Sequence, residues 1–156
     1  MDPELHKIVI TAIIYNDGQE FLITKRSMGE EQWPGRWSVP GGKLSKEDYV
    51  HTPLTHKNQW YYALTDTLKR EVKEEVGLTV GKPEYLLDLI FLRKSGIPTV
   101  VLSFFAEYLG GDVRLDDEHS EYAWVRAEDL SNYDLIEGVD HEIKLVDEIL
   151  RKRKNT

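Results

Sequence analysis

Arg70-Glu71-Val72-Lys73-Glu74-Glu75-Val76-Gly77-Leu78 is the stretch on which the reading of this chain turns. On a helix each residue turns by about 100°, so Glu74 falls about 60° to one side of Glu71 and Glu75 about 40° to the other. Three carboxylates therefore share roughly one face. Like charges three and four residues apart are in contact and repel. A divalent cation reverses that penalty, because hard cations such as Mg²⁺ take oxygen ligands and suit pyrophosphate groups. Arg70 can pair with Glu74 one turn on, and Gly77 supplies a left-handed exit that ends the helix. Leu68, Val72 and Val76 lie beside the acids and set them at the boundary of a core. The alternative is a solvated acidic face, the ordinary meaning of a charge run.

Upstream, Trp37-Ser38-Val39-Pro40-Gly41-Gly42-Lys43-Leu44 runs a short apolar strand into a double glycine. Glycine lets a backbone come close to a ligand or metal. Pro40-Gly41-Gly42, followed by Arg-Glu-Val-x-Glu-Glu-x-Gly-Leu at 70–78, resembles the signature of the Nudix hydrolases (MutT-like enzymes). Members of that family cleave a pyrophosphate linkage in nucleoside diphosphate derivatives. The right half of the signature is matched at every specified position. The left half departs from it: Gly42 and Arg70 stand fourteen residues further apart than the signature allows. An insertion over residues 49–62 accounts for the difference. Counting forward from Gly42, the family glutamate falls on Asp48, with Glu47 beside it; counting back from Arg70, it falls on Tyr62.

The resemblance implies that Glu71, Glu74 and Glu75 hold Mg²⁺, with Mn²⁺ as a possible substitute, the Gly41 carbonyl as a backbone ligand and Asp48 in place of the missing glutamate. Arg70 would orient a carboxylate of this cluster, or form only a surface ion pair. The chemistry also asks for a general base within reach of the attacking water. Glu71 and Glu74 of the signature are two sources of one. The loop Leu115-Asp116-Asp117-Glu118-His119-Ser120-Glu121 offers Glu121, three residues before Trp124, with Glu118 and His119 as alternatives. Arg26, at the end of the second strand, is a phosphate-contacting candidate, and Trp37 and Trp60 are base-framing candidates that packing would explain equally well. The inserted stretch holds two of the five histidines, His51 and His56, read as surface residues. Glu74→Gln or Glu75→Gln should abolish most turnover without unfolding the chain.

Length and composition fit one soluble domain over residues 1–156. A net charge of −8 argues against binding a nucleic-acid backbone. The basic run Arg151-Lys152-Arg153-Lys154 suits a helix C-terminus and needs no partner. No apolar run reaches membrane-spanning length. The start, Met1-Asp2-Pro3-Glu4-Leu5, does not read as a leader. The absence of cysteine excludes thiolate chemistry and fits a cytoplasmic location.

Strands are expected at 7–15, 21–25, 37–39, 86–92, 99–108 and 121–125, and helices at 61–76 and 139–153. Asn16-Asp17-Gly18 is the turn of the first hairpin. This order implies a mixed sheet between helices, the α/β/α sandwich of the Nudix fold. The expected partner is a small-molecule nucleotide, with a homodimer possible. The residues that would mark ADP-ribose or dinucleoside polyphosphate specificity fall on Arg93 and near Ser95, which match neither subgroup. A nucleotide-binding regulatory domain with little catalysis is the alternative. The full set of signature carboxylates favours the enzyme, since binding alone does not require three of them.

Overall fold

The computed structural model describes residues 2–156. In chain order the strands and helices are β1 (Lys7–Tyr15), β2 (Phe21–Arg26), β3 (Trp37–Ser38), β4 (Gly41–Lys43), α1 (Ala63–Val76), β5 (Thr79–Val80), β6 (Glu84–Leu92), β7 (Pro98–Gly110), β8 (His119–Val125) and α2 (Val139–Lys154). Short 3₁₀ segments cover Lys46–Asp48 and Ala127–Asn132.

The eight strands form one mixed sheet. Its centre is the parallel pair β1–β7, in continuous register from Lys7 opposite Thr99 to Tyr15 opposite Glu107. The β1–β2 hairpin closes at Tyr15 opposite Phe21, where the Asn16 side chain accepts the Glu20 amide at 2.9 Å. The short β4 pairs antiparallel with Val9–Thr11 of β1. Two strand pieces, β4 and β5, do not stand out in the sequence. Gly41-Gly42 has poor strand propensity, and its pairing with β1 holds it extended.

Alternation along the strands divides the core in two. Ile10, Ala12 and Ile14 of β1, Leu22 of β2, and Phe104 and Ala106 of β7 face α1, where Leu68, Val72 and Val76 cover them. Ile13, Phe21, Ile23 and Phe105 face the other way, against Val139, Ile143, Val146 and Leu150 of α2. A helix lies on each face, so the fold is an α/β/α sandwich. Arg153 clamps the C-terminal end of α2 to the sheet, with two 2.9 Å bonds to Glu84. Among the described residues no helix is long and apolar enough to cross a membrane.

Candidate active site

The apolar stripe of α1 decides where its acids point. Leu68, Val72 and Val76 are fully buried, so Glu71 and Glu75, one residue behind each valine, are carried to the rim of the core. Gly77, at φ 77°, ends the helix in the left-handed region. Each of the two glutamates has a buried Oε2 with no hydrogen-bond partner. Such orphaned oxygens are costly in a folded protein. Burial, then the neighbouring Asp48 charge, push the Glu71 carboxyl up to about 7, while Arg70 pulls it down. Burial, then repulsion from Glu71, Asp116 and Glu118, push Glu75 up to about 8. Two half-neutral carboxyls facing unsatisfied space are what a divalent cation would relieve, since it replaces the missing partner and the missing counter-charge together.

The double glycine closes the other wall. A Cβ on Gly42 would lie 2.5 Å from Glu71 Oε2, and one on Gly41 would lie 2.4 Å from the Ile10 carbonyl oxygen. Only bare backbone fits between β1 and the α1 carboxylates, which brings Gly41 and Gly42 to the site.

A third wall is the loop between β7 and β8. The Arg114 amide donates to the Val76 carbonyl at 2.9 Å, and the Asp116 amide to the Glu75 carbonyl at 3.1 Å. On the far side, Ser27 donates its amide to Glu118 O and its hydroxyl to Asp117 O, both at 2.9 Å. So held, Asp116, Glu118 and Glu75 each offer an oxygen, all within 4.8 Å of one another. His119 bonds Asp116 Oδ1 through Nδ1 at 2.7 Å and fixes that carboxylate. Sequence reasoning named Glu118 but missed Asp116. Its signal was the run Asp116-Asp117-Glu118, which has no periodicity to show which acid turns inward.

The remaining sequence candidates lie around this centre. Glu121 sits opposite Lys25 in the β2–β8 register and pairs with it at 3.0 Å, with 57% of its side chain exposed. Glu74 is 62% exposed and 3.8 Å from Arg70. Arg70 pairs with Asp48 at 3.0 Å. Burial alone would raise the Asp48 carboxyl, but the Ser45 amide and the Arg70 guanidinium outweigh it and hold it below the usual range. Arg26 is engaged locally, by Gln32 O at 2.7 Å and Glu30 at 3.2 Å. Trp37 presents an edge to Tyr133 at 5.1 Å. Trp60 lies 5.2 Å from Tyr49 and donates to Thr52 O at 3.1 Å, so residues 49–62 fold on themselves. Asp48, just before this stretch, grips Arg70 two turns into α1.

That grip gives a first test. Asp48→Ala should speed proteolytic cleavage within residues 49–62 and lower kcat/KM by roughly tenfold, the scale of one charged hydrogen bond. Unchanged cleavage and kinetics would show that the pair anchors nothing.

A sequence model of the NUDIX domain matches residues 5–148. A nucleoside triphosphatase NudI of Klebsiella pneumoniae (strain 342) is 28% identical over 139 residues, spanning 83% of this chain and 88% of that protein. The crystal structure of a MutT protein from Methanosarcina mazei Go1 superposes with a TM-score of 0.72 at 27% identity, over 95% of this chain and 97% of that one. The NUDIX domain of Shewanella oneidensis NrtR, complexed with ADP ribose, superposes with a TM-score of 0.71 over 96% and 94%. At 18% identity it speaks for the fold alone.

Proposed function

Because the chain belongs to the Nudix family, hydrolases of phosphorus-containing anhydrides, we propose that it is a Mg²⁺-dependent pyrophosphohydrolase of nucleoside di- or triphosphate derivatives. A nucleoside triphosphate is the first substrate class to test, since relatives of 28–29% identity carry the name nucleoside triphosphatase. The products would be a nucleoside monophosphate and pyrophosphate, or a phosphorylated remainder from other derivatives.

One observation carries this reading: two buried, unpartnered carboxylate oxygens on α1 face a glycine pair that leaves no room for a side chain. Glu71, Glu75 and the Gly41 carbonyl would hold the cation, Asp116 would add to its oxygen set, and Mn²⁺ would serve in place of Mg²⁺. When bound, such an ion neutralises phosphate charge and orients the attacking water. Glu118 stands on a tethered loop beside Glu75 and is the favoured group to take the proton from that water. Glu121, tied to Lys25, would have to leave its partner to do so. Asp48 and Arg70 position the α1 end of the site. Residues 1–156 would form one domain with residues 49–62 inserted, working in the cytoplasm.

The test is product release from a panel of nucleoside triphosphates, nucleotide sugars, ADP-ribose and dinucleoside polyphosphates, with and without Mg²⁺. Turnover that requires the metal is expected for at least one class. Binding without turnover across the panel would instead indicate a regulatory domain.

A further inference from the structure

α2 covers only part of the sheet face on which it packs. Ile13 and Phe105 lie buried beneath it. The same face runs on past Thr11 and Ser103 to Val101, and across to Leu89 and Phe91 of β6, and these last three are only half-buried. The loop between β2 and β3 reaches over this stretch. Its Trp33 stands 5.9 Å from Phe91, ring to ring, at φ 45°, a left-handed conformation that bulky residues rarely take. Floor and loop make a cleft beside the strand that carries Gly41, because Thr11 is the β1 partner of Gly41.

A buried acid at this cleft has half of its bonding unmet. Glu142, in the first turn of α2, is 9% exposed. The Thr11 hydroxyl donates to Ser103 Oγ at 3.2 Å, and the Ser103 hydroxyl donates to Glu142 Oε1. Both hydroxyl protons are thereby used, and among the described residues no group donates to Oε2. Gly138 stands beside that oxygen, where even a methyl group would stay 3.9 Å away. Burial pushes the carboxyl above its usual range, while the Ser103 hydroxyl and His141 pull it down. What the group lacks is a hydrogen-bond donor at Oε2.

We propose that this cleft receives the nucleoside of the substrate and that Glu142 selects its base, accepting at Oε2 a hydrogen bond from an exocyclic amino group. The inference rests on the reading of the chain as a nucleotide hydrolase. Ser103 is two strand spacings from Gly41, about 10 Å. A base beside Glu142 and phosphates at Glu71 and Glu75 then belong to one nucleotide that straddles the glycine strand, where side chains are missing. Val101 and Leu89 give the base an apolar floor, and a single polar group reads its edge, the usual economy of such sites. Cytosine, adenine and guanine carry the amino group. Uracil and hypoxanthine offer only an imide N–H beside a carbonyl oxygen, which repels a carboxylate.

The test is kcat/KM with Mg²⁺ for CTP against UTP and for ATP against ITP. The wild-type chain should favour the amino-bearing member about tenfold, the scale of one hydrogen bond to a charged group, with the difference in KM. In Glu142→Gln the carbonyl oxygen keeps the Ser103 bond and the amide nitrogen replaces Oε2, a donor in place of an acceptor. That variant should reverse the preference, towards UTP and ITP. A purely structural Glu142 would instead move all four nucleotides alike. Wild-type turnover without discrimination overturns the inference whatever the variant does, as does a preference that survives Glu142→Gln. Equilibrium binding of α,β-methylene CTP and α,β-methylene UTP separates this result from hydrolysis. Tighter binding of the CTP analogue with no turnover of any nucleotide overturns the hydrolase and supports the base site. Equal binding overturns the base site, and binding of neither overturns both.

Discussion

Glu75→Gln is expected to lower turnover about a thousandfold while leaving the fold intact. The glutamine keeps the shape of the side chain and loses the charge that a cation needs. Stability should move in the opposite direction. In the metal-free protein Glu71 and Glu75 have pKa values of about 7 and about 8, raised chiefly by burial from 4.5. A carboxyl raised in this way imposes no penalty below its unfolded value, because it is protonated in both states. Its penalty grows as pH climbs from 4.5 and is complete above the folded value. The metal-free Tm should therefore fall between about pH 5 and pH 9, most steeply at about pH 6, where both carboxyls are protonated in the folded chain and ionised in the unfolded one. Glu75→Gln removes its share of that fall and should raise the Tm at pH 9 by roughly 5 °C. Mg²⁺ should raise the wild-type Tm and have little effect on the variant. Glu74→Gln is the control: on an exposed carboxylate it should lower turnover without altering the pH profile of the Tm. Near-normal turnover in Glu75→Gln, or an unchanged pH profile, would remove Glu75 from the metal site.

The second large effect separates two adjacent glycines. In Gly41→Ala the new Cβ would stand 2.4 Å from the Ile10 carbonyl oxygen and 2.8 Å from Thr11 Cα. Both are backbone atoms of the central strand and cannot step aside without opening the β1–β4 pairing. Overpacking of this kind costs about 3 kcal/mol, which lowers the Tm by roughly 10 °C. In Gly42→Ala the obstacle is the carboxylate of Glu71, at 2.5 Å, the far end of a flexible side chain. That side chain can move, so the Tm should hold within about 2 °C. Moving it displaces a candidate ligand, and a misplacement of about 1 Å costs on the order of a hundredfold in rate. Thermal unfolding and kcat on the two variants should thus give opposite patterns. If both variants lose stability alike, Glu71 does not yield and its carboxylate is not an independently placed group.

The legible parts of this molecule are those with a period. The spacing of Leu68, Val72 and Val76 places α1 against the sheet, and the left-handed exit read at Gly77 is present. The helical wheel also brings Glu71 and Glu75 to the core boundary. It could not distinguish Glu74, which turns towards solvent and Arg70. β1 matches its sequence reading from Lys7 to Tyr15, because a run of β-branched residues buried on both faces has few other uses. What stayed hidden depends on distant partners. Asp116 reaches Glu75 because its own amide bonds the Glu75 carbonyl, a contact between loops that no local pattern announces. The pairing of Asp48 with Arg70 was hidden for the same reason: the residues between them vary in kind, and only folding brings the two ends together. Arg26 is a phosphate-contacting candidate by its place at a strand end, and its bonds to Glu30 and to the Gln32 carbonyl of the following loop are contacts that the strand pattern does not announce.

The parallel pairing of β1 with β7 also sets the order of assembly. Thr11 and Ser103, hydrogen-bonded across it, are ninety-two residues apart in sequence. Contacts of such separation close late and slowly, because the intervening chain must be confined before they repay it. The glycine pair and α1 both rest on β1, so the carboxylates reach their final surroundings only after that closure. Refolding followed by turnover should therefore lag behind refolding followed by helix content. During synthesis, β1 leaves the ribosome long before the strand that will cover its side.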